Sequence, residues 1–258
     1  FAATKNITRN SSIAELFKLL GQFIGRIFSS YYLNKKNEIY KQDSELDSSF
    51  IHFFKNKTTM FFILFKFLIN FSIMFLGALF AIYLLRTLGV NNLVLGYCGA
   101  SWWAGNIISS KAWGNFTKNN GNLSTLKITT ILLTILPLAW IFVYYINDLY
   151  KIFIIIILPF FAGITFSGLS LSSFNIVYEI VSKNDVVQFT SILRFSESLG
   201  ILFSSVIAGY IVDSIIINNL LSNINFTPIQ LSILISMFLR IFCIIFLFKY
   251  DNLLVKTN

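Results

Sequence analysis

The chain is poor in the residues on which soluble domains and metal sites depend. Only 12% of its 258 residues are charged, whereas 56% are hydrophobic, and a soluble domain carries about 25% charged residues. Its two cysteines, Cys98 and Cys243, form no CxxC pair, and His52 is the sole histidine. A disulfide framework and a zinc site are therefore excluded, and we predict neither a metal nor a cofactor.

Long apolar runs, separated by short polar joints, fill most of the chain. We find six, at residues 60–85, 92–110, 128–146, 152–181, 189–212 and 228–248. A helix rises about 1.5 Å per residue, so about 20 residues cross the roughly 30 Å hydrocarbon layer of a bilayer. The runs predict an all-α membrane protein with a bundle of six transmembrane helices over 60–248.

The basic residues predict how this bundle is oriented in the lipid bilayer. The joints on the side of the N-terminus carry nine lysines near the runs, whereas the opposite joints carry only Arg86 and Lys151. The nine are Lys41, Lys55, Lys57, Lys111, Lys118, Lys127, Lys183, Lys249 and Lys256. Because cytoplasmic joints are enriched in Lys and Arg, we predict a multi-pass protein of the cell membrane with both termini cytoplasmic. The net charge of +9 then needs no nucleic-acid partner.

The polar region before the first run contains one amphipathic segment, at residues 13–33. Its apolar residues recur at helical spacing, while Glu15, Lys18, Gln22 and Arg26 occupy the other face. Four such side chains are too costly at the bilayer centre, so we predict a helix on the cytoplasmic membrane surface or packed on a missing partner domain. Residues 1–59 are thus a predicted cytoplasmic linker and 249–258 a cytoplasmic tail. Because the chain opens on Phe1, we expect further protein upstream.

Small residues in the second, fourth and fifth runs predict close contacts between helices. The glycines concerned are Gly99, Gly105, Gly163, Gly168, Gly200 and Gly209. Small side chains let backbones approach in lipid, where no hydrophobic force drives helices together. Such faces serve either simple packing or sliding during a conformational cycle.

Four ionisable residues within the runs are the strongest site candidates. Such a residue costs about 2.5–3.5 kcal/mol at the bilayer centre and rarely persists without a role. We expect Lys66 to snorkel to the cytoplasmic surface, since it lies near the end of its run. Arg194 and Glu197 share one helical face and can pair, either to meet a solute or to fix packing. For Arg240 a packing or snorkelling role is favoured.

The joint after the second run carries a resemblance to a known family. It reads WGNFTKNNGN over residues 113–122 and resembles the GxxxDxxG joint in each half of the major facilitator superfamily of secondary transporters. Gly114, Gly121 and Asn122 match in place, but Lys118 stands where the family usually has aspartate. The similarity continues over roughly 53–247, including Gly200 and the stretches 80–85, 166–178 and 238–240.

The resemblance implies the C-terminal six-helix half of a transporter that moves a small solute by alternating access. Its partner would be a missing N-terminal half or a separate chain. The implied substrate or coupling-ion pathway comprises Asn70, Asn106, Asn175, Arg194 and Glu197, with Glu197 the acid for proton coupling. Gly114, Lys118 and Gly121 would form the gating joint. Lys118 cannot act as the anion, so it indicates a weakened or differently paired latch, or simply follows the preference for cytoplasmic lysine.

Two other classes of function are open to this sequence. A membrane scaffold or interaction module could be built on the same six helices and would lack an upstream six-span half. An enzyme is disfavoured, because no HExxH, GxSxG or GxxxxGK[ST] pattern supplies a catalytic constellation.

Overall fold

The computed structural model describes residues 52–218 and 227–250. The chain divides into two units, 1–56 and 57–258, and the bundle belongs to the second. The predicted amphipathic helix at 13–33 lies outside the described residues, as do part of the joint after the fifth run and nearly all of the tail.

The described residues form helices and no strands. Helix α1 covers Lys57–Gly77, and the short helix α2, Phe80–Ile82, continues into a π-helical segment at Tyr83–Thr87. The remaining helices are α3 (Asn92–Asn120), α4 (Asn122–Val143), α5 (Asp148–Ile180), α6 (Val186–Asn218) and α7 (Pro228–Tyr250). The first run is shared by α1, α2 and the π-helical segment. Each later run falls on one helix, but the third extends three residues beyond α4 and the fourth one residue beyond α5.

Five helical stretches are long and apolar enough to cross a membrane. They are Lys57–Thr87, Asn122–Val143, Tyr150–Ile180, Val186–Ser214 and Pro228–Lys249. Only 33–44% of the residues in their most apolar parts are buried, so more than half of these residues are at least partly exposed, as lipid contact requires. These helices indicate a multi-pass membrane protein.

The second predicted span differs from the other five. Helix α3 has 29 residues, enough to cross a bilayer, but it is not among the apolar stretches. Polar and small residues interrupt it, among them Gly96, Gly99, Ser101 and Asn106. The composition of the described helices therefore supports five of the six predicted spans and does not confirm the remaining one, α3.

The helices pack in a pattern that two groups of three share. Helix α1 packs on α6 and α7, α5 packs on α3 and α4, and α4 packs on α7. The same set of contacts results when α1 is exchanged with α5, α3 with α6 and α4 with α7. The α1–α6 contact then becomes α3–α5, the α1–α7 contact becomes α4–α5, and the α4–α7 contact is unchanged. Both the α1–α6 pair and the α3–α5 pair run parallel, since residue numbers rise together along each contact.

Glycines set the distance between the helices of these two pairs. A methyl group at Gly105 would overlap the carbonyl oxygen of Phe160, and one at Gly163 would overlap that of Trp102. At Gly200, a methyl group would lie 2.7 Å from the carbonyl oxygen of Phe67. The predicted close approach is confirmed at these glycines and at Gly168, where a methyl group would meet Thr129 and Trp113 side chains at 2.6 Å.

Two glycines that were expected to make close contacts do not. A methyl group at Gly99 or Gly209 would meet no heavy atom within 4 Å. Their runs do contain close helix contacts, but these residues lie on open faces of α3 and α6.

Two prolines inside helices free backbone carbonyls that neighbouring helices satisfy. Proline has no N–H, so the carbonyl four residues earlier loses its helical donor. Pro137 frees that of Leu133, which accepts from Nη1 of Arg240 at 2.6 Å. In α5, the carbonyl of Ile155, four residues before Pro159, accepts from the thiol of Cys98 at 3.3 Å.

These contacts bear on the role of Arg240 and on that of the two cysteines. Arg240 is 5% exposed, and within the described ranges it forms no ion pair with an acid. It therefore packs between α7 and α4 and does not snorkel. Cys98 and Cys243 are both buried and free of disulfides, as expected for packing residues.

Candidate functional site

Three charged side chains meet where α1 and α6 pack together. Glu197 on α6 accepts from Nζ of Lys66 at 2.8 Å through Oε1 and from Nη1 of Arg194 at 2.9 Å through Oε2. We call Lys66, Arg194 and Glu197 the charged triad. The predicted pairing of Arg194 with Glu197 is thereby confirmed, since both lie on one face of α6 at a spacing of three.

The prediction that Lys66 snorkels to the membrane surface is wrong. Its side chain is 11% exposed, against 55% for that of Arg194. The close approach of α1 and α6 at Gly200 puts the lysine beside Glu197. An acid at hydrogen-bonding distance stabilises the ammonium group inside the bundle, so the side chain does not need to reach water.

A recess opens beside the triad, between α1, α5 and α6. A second recess adjoins it and extends to α3, and the two share Ser170, Phe174 and Arg194. The first is also lined by Phe62, Lys66, Ser173, Val177, Thr190, Leu193 and Glu197. The second is also lined by Asn106, Ser167 and Leu171. We call both together the recess.

The structure brings three of the five predicted pathway residues together at the recess. Arg194 and Glu197 line its first part, and Asn106 lines its second. Asn70 lines neither part, and its amide donates to the carbonyl of Lys66 on its own helix at 2.9 Å. Asn175 also lies apart, where its amide donates to Oδ1 of Asn122 at 2.9 Å.

The predicted gating joint has one glycine at the turn. Gly121, at φ +85°, separates α3 from α4. Gly114 instead lies within α3, where a methyl group would meet nothing within 4 Å. Lys118 is exposed in the last turn of α3 and, in the part of the chain that the structure describes, has no bonding partner.

An acid does lie near this joint, but on another helix. Glu179, in the last turn of α5, accepts from the side-chain amide of Asn122, the first residue of α4. A carboxylate near a helix N-terminus is favoured by the helix dipole. Sequence reasoning did not single out Glu179, because only the fold brings the end of α5 to the start of α4.

Several lining residues were not singled out from the sequence, and one of them, Ser173, has an unusual environment. The hydroxyl of Ser173 is buried and has no hydrogen-bonding partner among the described residues, although Ser173 is a lining residue of the recess. The serines at 170, 172 and 173 in the fourth run were the only signal in the sequence. In the described ranges, no three His, Cys, Asp or Glu side chains are placed to hold a metal ion.

Comparison of the chain with protein-family profiles, curated proteins and solved structures found no match. The geometry of the bundle and the composition of the recess are therefore what indicates a function.

Proposed function

We propose that the chain is one six-helix half of a facilitator-type secondary transporter, which moves a small solute by alternating access. The observation that carries this proposal is a polar recess at the meeting point of four helices, with a buried ion pair between Lys66 and Glu197 at its wall. Ionisable groups inside a membrane are costly and typically mark a pathway for solutes or ions.

The helix packing supports the same proposal. Many transporters are built from internal repeats and bind their substrate at the interface between them. Here the contacts of α1, α3 and α4 repeat those of α5, α6 and α7. The recess is lined by α1, α3, α5 and α6, so each group of three contributes two lining helices.

In this proposal α3 also crosses the membrane, which brings the number of transmembrane spans to six. Its polar and small residues lower its hydropathy because part of it faces the recess, as Asn106 does. A helix that lines a cavity does not need an apolar surface all round. The partner half, in the same protein or in another chain, would cover the open side of the recess.

The charge distribution supports the orientation with both termini in the cytoplasm of a cell-membrane protein. A reporter enzyme that works only outside the cytoplasm, joined to the C-terminus, is expected to be inactive. The same reporter placed after Lys151 should be active. Activity at the C-terminus would contradict the proposed orientation.

Alternating access can be tested before the solute is identified. Ser170 is exposed and lines both parts of the recess, so Ser170→Cys in the whole protein should react with a membrane-impermeant maleimide. We expect labelling in right-side-out and in inside-out vesicles, because the recess opens to each side in turn. The unaltered protein is the background control, since Cys98 and Cys243 are buried.

A matched variant separates a transporter from a scaffold. Lys118→Cys, at the proposed cytoplasmic joint, should react in inside-out vesicles only. If Ser170→Cys shows the same one-sided pattern, the recess does not alternate, and a scaffold or interaction module is the better interpretation.

Glu197 is the proposed coupling residue, since protonation would weaken its hold on both Lys66 and Arg194. Uptake by the whole protein should then depend on pH, and Glu197→Gln should remove that dependence. Because the variant leaves Lys66 without an acid, its folding is checked first: it should elute from a size-exclusion column in detergent as a single species. Uptake that keeps its pH dependence in Glu197→Gln would remove the residue from this role.

A further inference from the structure

We infer that the recess binds an anionic solute, one that carries a carboxylate or phosphate group, through Arg194 and Ser173. This inference deepens the proposed function and rests on it only in treating the bound anion as a transported solute. The charges and hydrogen-bonding groups of the recess favour anion binding whether or not the protein transports.

The charge of the recess favours an anion. Its titratable lining residues are Lys66, Arg194 and Glu197, so the triad carries a net charge of +1 when all three are ionised. Walls of low dielectric focus the field of such a charge on the space they enclose. A cationic solute would be repelled by this net charge and would have to share Glu197 with Lys66 and Arg194, each of which already donates to one of its oxygens.

Arg194 has hydrogen-bonding capacity to spare. A guanidinium group carries five N–H donors in a planar fork, and its Nη1 donates to Glu197. Within the described residues, Arg194 has no other acceptor, and its side chain is 55% exposed where both parts of the recess meet. Such a fork matches the paired oxygens of a carboxylate or phosphate.

Ser173 is the independent sign of a ligand. Buried hydroxyl groups are almost always hydrogen-bonded, since an unsatisfied one costs free energy. Its hydroxyl is buried and has no partner among the residues that the structure describes, and Ser173 lines the same recess as Arg194. An anion oxygen held by the guanidinium would give this hydroxyl the acceptor that the protein does not supply.

The electrostatic preference can be measured with charged thiol reagents on Ser170→Cys in the whole protein. The rates of an anionic reagent, sulfonatoethyl methanethiosulfonate, and a cationic one, trimethylammonioethyl methanethiosulfonate, are each divided by the rate with a small free thiol. We expect the normalised ratio to favour the anionic reagent. Arg194→Gln should lower the ratio about tenfold, because it removes a unit charge from the recess that Arg194 and the reacting thiol both line. Arg86→Gln, an exposed arginine outside the recess, should leave it unchanged.

Protection of Ser170→Cys from labelling then identifies the anionic group. Succinate, inorganic phosphate, neutral succinamide and cationic 1,4-diaminobutane are compared at equal concentration and ionic strength. We expect protection by succinate, which would assign a carboxylate, or by phosphate, which would assign a phosphate group. Ser173→Ala should raise the protecting concentration several-fold and leave the reagent ratio unchanged, because the hydroxyl is uncharged.

The inference is overturned by a normalised ratio that favours the cationic reagent or shows no preference. It is equally overturned if neither anion protects. These outcomes are distinct from failure of the transport proposal. A recess that is anion-selective but labelled from one side only would end that proposal and leave the anion site standing.

Discussion

The α1–α6 pair and the α3–α5 pair are equivalent in the packing pattern of the bundle. Different chemistry nevertheless joins the two helices of each pair. Between α1 and α6, Lys66 and Glu197 form a buried ion pair. Between α3 and α5, the bonds are neutral, as in the 2.7 Å bond from Nε1 of Trp113 to the carbonyl of Ile164. Both pairs use glycine to bring backbones together.

The difference shows that close approach and charge are separate features of this bundle. Glycine sets the helix spacing in both pairs, so the ion pair is not needed to bring parallel helices together. Three residues before Gly200 stands Glu197, whereas three residues before Gly105 stands Trp102. The charged residues that line the recess therefore all lie on the α1–α6 pair, which is consistent with a role beyond packing.

Removing the acid of the α1–α6 pair should have the largest effect on stability. Glu197→Gln leaves Lys66 buried without an anion, and breaking a buried pair costs about 3–5 kcal/mol. We expect this loss in the free energy of unfolding, measured in detergent by chemical denaturation. The added change Lys66→Met should recover much of it, because no buried charge then lacks a partner.

Glu179→Gln is the matched control for that prediction. Glu179 is an exposed acid on α5, and its substitution should change the stability by less than about 0.5–1 kcal/mol. Equal effects of the two substitutions would mean that the ion pair adds nothing that an exposed acid does not.

Crowding the α3–α5 pair should have the next largest effect. In Gly163→Ala the added methyl group would overlap the carbonyl of Trp102, and overpacking typically costs about 1–3 kcal/mol. Thermal unfolding in detergent should show a lower midpoint. Gly99→Ala, on an open face of α3, should leave the midpoint unchanged or raise it, since alanine favours helix by about 1 kcal/mol. A lower midpoint in both variants would contradict close packing as the cause.

The smallest expected effect concerns the carbonyls that proline frees. Pro137→Ala would restore a helical donor to Leu133, so Arg240→Met should cost less in that background than in the original protein. A coupling free energy of about 0.5–3 kcal/mol is expected for groups in direct contact. Pro159 frees the carbonyl of Ile155, which accepts from Cys98 and not from Arg240. Pro159→Ala should therefore leave the cost of Arg240→Met unchanged. Additive effects of Pro137→Ala and Arg240→Met would show that the two residues act independently.

How far sequence reasoning reached depended on the range of the interactions involved. The pairing of Arg194 with Glu197 was predictable because both residues share one helix. The pairing of Lys66 with Glu197 was not, because it joins residues on α1 and α6. Asn70 was assigned to the pathway, but its amide donates to a carbonyl of its own helix.

The length and apolarity of the runs were enough to establish helices that suit a membrane, since lipid imposes the same demand on every span. Spacing along one helix likewise settled which neighbours could pair. Which helices touch, where a recess opens, and which buried groups lack a partner depend on contacts between residues distant in the chain. Those contacts arise from backbone approach at Gly105, Gly163 and Gly200, and no local pattern reveals what lies opposite a glycine.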